Sequence, residues 1–194
     1  MPAVMPILAA FSLLLVSLVP SACSGDDAPG ADAGIGIDAA SADGPGSGED
    51  LDMAADDFGC ILDWDKVHRF RITNLLGHTD EALAIAGSAT GGTYPVGTVI
   101  QLVPFEAMVK RRAGFSASTH NWEFFALGVT AEGTTIDDRG TDDVVNQFNG
   151  NCLDCHSLAE PQWDLVCETT HGCAPLPLTE AQIESIQNSD ARCP

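Results

Sequence analysis

Asn121-Trp122-Glu123-Phe124-Phe125-Ala126-Leu127-Gly128-Val129 carries aromatic and branched side chains at both odd and even positions. Alternate side chains of a strand leave opposite faces, so a stretch that is apolar on both faces reads as a central strand covered on either side. Outward from it, Glu106 to Arg112 reads as a second strand. Thr98-Val99-Ile100-Gln101-Leu102-Val103 reads as a third, introduced by the turn-forming run Gly91-Gly92-Thr93-Tyr94-Pro95-Val96-Gly97 and ended by Pro104. Short helices complete the pattern. Thr79 precedes Asp80, Glu81 and an Ala/Leu/Ile run to about Gly87, which reads as a capped helix with acids at its positive end. Thr141 can cap a helix through Asp142, Asp143, Val144 and Val145. Val145, Phe148, Cys152 and Cys155 then recur at helical spacing, which brings two thiols to an apolar face, with Gly150 as a breaking point. Thr179 and Gln182 form a capping box for a last helix whose Ile183 and Ile186 face inward. The fold class expected is mainly β (α+β), a sheet with a few short helices.

One of those helices leads into Cys152-Leu153-Asp154-Cys155-His156. Two thiols and an imidazole at C-x-x-C-H spacing are what covalent attachment of a c-type haem requires: the sulfurs form thioethers with the porphyrin and His156 supplies an axial nitrogen. The other readings of the motif are a redox C-x-x-C and half of a zinc site. The first belongs in a βαβ pattern that is not found here, and no second C-x-x-C completes the second.

The N-terminus points to export. Ile7 to Val19 is an apolar run too short to anchor stably across a bilayer and long enough for the core of a signal peptide. Pro20-Ser21-Ala22-Cys23 resembles a lipoprotein cleavage site, which makes residues 1–22 the signal and Cys23 the lipidated residue. Pro20 stands where an aliphatic residue is usual, and no Lys or Arg precedes Ile7, so an ordinary cleaved signal peptide is the other reading. Residues 23–57 are dominated by Asp, Gly, Ala and Ser, with ten acidic residues and no basic one, the composition of a self-repelling tether. Residues 58–194 form one domain with one core. The formal net charge is -20, of which the domain keeps -10. Such acidity suits neither nucleic acid nor an anionic membrane surface, leaves the lipid as the only membrane attachment, and would steer a basic redox partner. The expected location is the periplasm or cell envelope of a bacterium.

Seven cysteines remain to be assigned. With Cys23 taken by lipid and Cys152 and Cys155 by haem, Cys60, Cys167, Cys173 and Cys193 are left, an even number in an exported chain, which favours two disulfides. Three pairings are possible. The spacing of Cys167 and Cys173 suits a local loop, which would leave Cys60 to join Cys193 and tie the domain's ends together. A metal site of Cys167, His171 and Cys173 is the alternative.

Strands first and C-x-x-C-H late is unlike the small helical cytochromes c, whose motif lies near the N-terminus. The chain resembles instead the cytochrome P-460 and cytochrome c′-beta family, in Gly97-Thr98-Val99-Ile100, Met108-Val109-Lys110, Asn121-Trp122-Glu123-Phe124-Phe125, Cys152 to His156 and Asp164-Leu165-Val166. The resemblance implies an antiparallel sheet with a few helices, usually in a homodimer, and one haem with histidine on one side of the iron and an open site on the other. In that family the P-460 branch oxidises hydroxylamine and carries a lysine cross-linked to the haem. The c′-beta branch lacks the cross-link and binds nitric oxide and carbon monoxide. The lysine's position here is Leu102, or Gln101 or Val103 after a slip of one residue, so no cross-link is expected. Lys110 matches a different block and reads as a solvated or propionate-pairing charge.

The second axial position decides between function classes. His68, His78, His120, His171 and Met108 are the residues that could fill it and make an electron carrier, and no spacing selects one of them. If none does, Ile100 and Leu102, with Phe124 and Phe125, form an apolar distal pocket suited to a small neutral gas. Glu106 or Glu123 could still act as an acid or base and keep an oxidoreductase acting on hydroxylamine or nitric oxide in play. A disulfide-rich lipoprotein without haem is the third class.

Overall fold

The computed structural model describes residues 48–194. The signal over residues 1–22, Cys23 and the tether as far as residue 47 lie outside the described residues. The domain is α+β: six strands form one antiparallel sheet whose spatial order is the order of the chain. They are β1 (Asp65–Val67), β2 (Phe70–Asn74), β3 (Thr98–Gln101), β4 (Glu106–Lys110), β5 (Trp122–Thr130) and β6 (Gly133–Gly140). Three short helices accompany them: α1 (Thr79–Ala86), α2 (Cys152–His156) and α3 (Glu180–Asn188). Among the described residues no helix is long and apolar enough to cross a membrane.

The expected strands are present, β3 and β4 shortened at their C-terminal ends and β5 at full length one residue further on, and β5 is an interior strand between β4 and β6. Its alternation separates two cores. Trp122 and Phe124 face the same side as Ile72, Ile100 and Met108, and pack with Ala82 and Ala86 of α1 and with Cys152 of α2. Phe125 and Leu127 face the other side with Val99 and Val109, under Met53 and Phe58. The register places Ile72 opposite Ile100, Ile100 opposite Met108, and Met108 opposite Phe124, so one apolar row crosses four strands.

Met53 is only 1% exposed, and Asp50 forms an ion pair with Arg111 (2.9 Å). The packed part of the chain therefore reaches back to about Asp50, because Met53 and the carboxylates of Asp50 and Asp52, within the acidic run, have partners on the sheet. The helix expected from Thr141 does not form. Residues 141–150 are bends and turns with an isolated bridge from Val145 to Asn151; Asn149 is left-handed (φ 60°), and Asn146 Oδ1 accepts from the backbone N–H groups of Phe148 (3.0 Å) and Gly150 (2.9 Å). Those local bonds compete with a helical ladder. Thr79 is the first residue of α1 rather than its cap, and its hydroxyl is used by Asn74. The capping box of α3 is present as expected, with Thr179 Oγ1 accepting from the Gln182 backbone (3.3 Å) and Gln182 Oε1 accepting from the Thr179 backbone (2.8 Å).

The two ends of the domain are joined by the Cys60–Cys193 disulfide, and Cys167 is bonded to Cys173. The alternative metal site of Cys167, His171 and Cys173 is thereby ruled out, since its thiols are consumed. Gln187 of α3 clips the helix to the sheet edge through the carbonyls of Arg69 and Leu102, both at 2.8 Å.

Candidate functional site

The motif stands on α2, whose cap is Asn151: its side chain accepts from the Asp154 N–H (3.0 Å). Cys152 and Cys155 are the free cysteines among the described residues. Cys152 is buried against the apolar row, where burial first and the Glu106 carboxyl second push its thiol up to about 12. Cys155 is exposed. His156 packs against Phe124, ring centroids 5.2 Å apart, and its Nδ1 is 2.7 Å from the Leu165 carbonyl oxygen. A carbonyl only accepts, so Nδ1 carries the proton, and burial lowers the pKa of the ring. The neutral imidazole therefore keeps its lone pair on Nε2, the state a metal ligand needs.

These groups share one groove of about 280 Å³. Its floor is the sheet: Ile100, Leu102, Met108 and Phe124. The motif forms one wall and the segments 146–150 and 173–177 form others, with Phe148 and Leu176 exposed at the mouth. Two charged residues interrupt the apolar lining. Glu106 is pushed up to about 7 by burial, and its Oε1 has no hydrogen-bond partner. Arg69, between β1 and β2, places its buried Nε 3.1 Å from Glu168 Oε2 in an ion pair.

Three of the four residues expected in the pocket line it: Ile100, Leu102 and Phe124. Phe125 does not. Adjacent strand residues face opposite sides, and Phe125 belongs to the far core. The same alternation separates the two acids, because Glu123 lies on the far side, accepting from Arg111 and Arg139 (2.7 Å), while Glu106 lines the groove. Lys110 is neither solvated nor near the groove floor: it is 3% exposed and donates to Asp164 Oδ2 (2.7 Å) and to the His120 carbonyl (2.7 Å). His68 is exposed, His78 lies beside Glu49 and Glu81, His120 beside Asp164, and His171 is stacked on Trp163 at 3.8 Å. Of the five residues weighed as a second axial ligand, only Met108 lines the groove.

The Cys167–Cys173 disulfide is part of the same wall, with Cys167 Sγ 3.7 Å from the Cys155 carbonyl oxygen.

The chain matches no known protein family, no curated protein and no solved structure.

Sequence reading missed Arg69, the Leu165 carbonyl and the Leu176 rim. Phe70-Arg71-Ile72 alternates as a strand does, which would have placed Arg69 at a strand entry. A backbone carbonyl carries no residue signature, and Ala174-Pro175-Leu176-Pro177 gives no signal beyond loop. Among the described residues, no three His, Cys, Asp or Glu side chains gather closely enough to hold a metal ion by themselves.

The donor set fits a covalently held haem. Among the described residues, the two thiols left out of disulfides sit three residues apart on one short helix, a neutral imidazole adjoins them, and the apolar sheet face borders both. Arg69 lines the groove with its charge paired to Glu168 (3.1 Å). The groove's volume of about 280 Å³ lies just below the roughly 300–1,000 Å³ usual for ligand pockets, so a haem held by these residues would extend beyond it.

Proposed function

We propose that this protein is an exported mono-haem c-type cytochrome that holds its haem through Cys152, Cys155 and His156. The observation that carries the reading is the partition of the cysteines among the described residues: four are closed into disulfides, and the two left free there are those of C-x-x-C-H, beside an imidazole whose Nδ1 is already occupied. Haem iron ligated by histidine supplies a redox centre and a site for a small ligand. Cys152 and Cys155 would hold the ring through thioethers, His156 Nε2 would ligate the iron, and Arg69, shared with Glu168, would offer a positive charge to the cofactor's carboxylates.

The ligand class follows from the rest of the lining. Leu102 offers no nucleophilic nitrogen, so a lysine cross-link has no residue to form it. Ile100, Leu102 and Phe124 make a surface for a small neutral molecule, in keeping with the resemblance to the cytochrome P-460 and c′-beta family, and Glu106 can hold or release one proton beside it. We read the protein as binding nitric oxide or carbon monoxide at a five-coordinate iron, or as carrying out redox chemistry on a small nitrogen species. A six-coordinate electron carrier is the second reading, favoured by Met108, whose thioether lines the groove. Two disulfides accord with an oxidising compartment; lipid at Cys23 would tether the domain there, and the family resemblance suggests a homodimer.

The test is haem attachment in variants made with the c-type maturation machinery. Cys152→Ala with Cys155→Ala should abolish covalent haem, and His156→Ala should lower occupancy and change the ferrous spectrum. Full covalent loading of the double variant would contradict the assignment. Carbon monoxide binding by the ferrous wild type supports the gas-binding reading, whereas an inert low-spin spectrum assigns the sixth position to a side chain.

A further inference from the structure

We infer that Asp164, Lys110 and Trp122 are positioning residues for His156: together they lock a left-handed backbone step that aims the Leu165 carbonyl at the imidazole and so selects its tautomer. Asp164 and Leu165 are consecutive non-glycine residues with φ of 50° and 63°, a conformation that L residues adopt only when their surroundings impose it. The bonds that impose it converge on Asp164. Trp122 Nε1 donates to its carbonyl (2.7 Å), and the Tyr94 N–H (3.0 Å) and Lys110 Nζ (2.7 Å) donate to its Oδ2. His120 Nδ1 lies 3.4 Å from its Oδ1, and the Lys110 ammonium sits 4.9 Å over the Trp122 ring. With the Asp164 carbonyl held by Trp122, the next carbonyl, that of Leu165, is presented to His156 Nδ1.

A buried ion pair is a poor source of net stability compared with apolar packing, and its better-attested use is to fix one geometry. Here the geometry fixed is that of a ligand's hydrogen-bond partner, the contact that orients a metal-binding histidine and sets its donor strength. The three residues sit on three separate segments, β4, β5 and the turn after Trp163, which sequence separation alone gave no reason to group. The inference about the tautomer stands on the geometry of the chain itself. Its consequence for the iron rests on the proposed function.

The experiment reads the ring ¹⁵N shifts of His156 in the full chain produced without haem maturation. Wild type should show the Nδ1–H form, against the Nε2–H form that a free side chain prefers; an Nε2–H signal in wild type overturns the inference outright. Asp164→Ala should move the signal towards Nε2–H. Asp164→Asn should restore Nδ1–H, since asparagine keeps a side-chain acceptor and tolerates the left-handed step. A folded Asp164→Ala chain with an unchanged Nδ1–H signal overturns it too, and so does an unchanged signal in folded Trp122→Phe or Lys110→Met should the alanine variant not fold. In the haem-loaded protein, Asp164→Ala should shift the midpoint potential and the ferrous spectrum while Asp164→Asn stays close to wild type, a split that mere loss of stability would not produce. A chain that takes up no haem removes the proposed function and leaves the tautomer result standing.

Discussion

On one side of the sheet, Ile72, Ile100, Met108 and Phe124 lie under α1 and α2 and leave a groove with two free thiols. On the other, Val99, Val109, Phe125 and Leu127 are covered by Met53 and Phe58, and the charges around them are paired. Glu123 accepts from both Arg111 and Arg139, Arg139 reaches Asp52 (2.6 Å), and Arg111 reaches Asp50, whose carboxyl these contacts hold down to about 2. The groove side instead carries Glu106, whose Oε1 lacks a hydrogen-bond partner, and Arg69, whose buried Nε is paired with Glu168 (3.1 Å). Buried polar groups in folded proteins are almost always satisfied; Gln101 Oε1, which lies off the groove, is unpartnered too, and the Glu106 oxygen differs from it in facing the groove, where a ligand can reach it.

Breaking the closure of the domain should have the largest effect on stability and the least on chemistry. The Cys60–Cys193 disulfide spans 133 residues and Cys167–Cys173 spans 6. On loop-closure entropy, Cys60→Ser with Cys193→Ser should cost about 5 kcal/mol, against about 2 kcal/mol for Cys167→Ser with Cys173→Ser. Denaturant unfolding measures both. The smaller perturbation should be the one that alters haem loading, because its cysteines line the groove, and equal loading of the two folded variants would show that the wall does not matter.

The two glutamates sharpen the contrast between the sides. Glu123→Ala should cost about 3–5 kcal/mol, since it strips two guanidinium groups of a buried partner, and should leave haem spectra unchanged. Glu106→Gln should act through pH. With its pKa at about 7 rather than the ordinary 4.5, Glu106 keeps in the folded state a proton that the unfolded chain has lost. Its contribution is therefore fully present below pH 4.5 and declines as pH rises to 7, by about 3 kcal/mol at most in the haem-free chain. Haem-free Glu106→Gln should lose that decline, gaining on wild type between pH 5 and 8. Parallel stability curves for the two proteins across that range would place the Glu106 carboxyl in water.

Legibility in the sequence tracked how much of a residue's role is carried by its own side chain. Trp122 to Val129 announced an interior strand because both faces are apolar, Thr179 and Gln182 announced a helix start, and spacing pointed to Cys167–Cys173, with Cys60–Cys193 following only as the remainder of three possible pairings. β6, Gly-Thr-Thr-Ile-Asp-Asp-Arg-Gly, was not foreseen because an edge strand with one exposed face needs little apolar alternation, and β1 and β2 are only three and five residues long. The helix expected before the motif failed because Val145, Phe148 and Cys152 imitate a helical face, while the intervening Asn146 and Asn149 prefer turns. Phe125 was misplaced against a rule the sequence already contained, for neighbours on a strand cannot share a face. The contact of His156 with the Leu165 carbonyl lay beyond reach, since backbone direction two segments away leaves no mark in residue types.

Intact mass, read with the alkaline pyridine spectrum, of the wild-type full chain produced with the c-type maturation machinery tests most directly whether the groove holds a covalent haem. One haem per chain should be found, with Cys152 and Cys155 both closed to alkylation and the Cys60–Cys193 and Cys167–Cys173 bonds intact. A folded chain with both disulfides formed, both motif thiols open to alkylation and no covalent haem would contradict it.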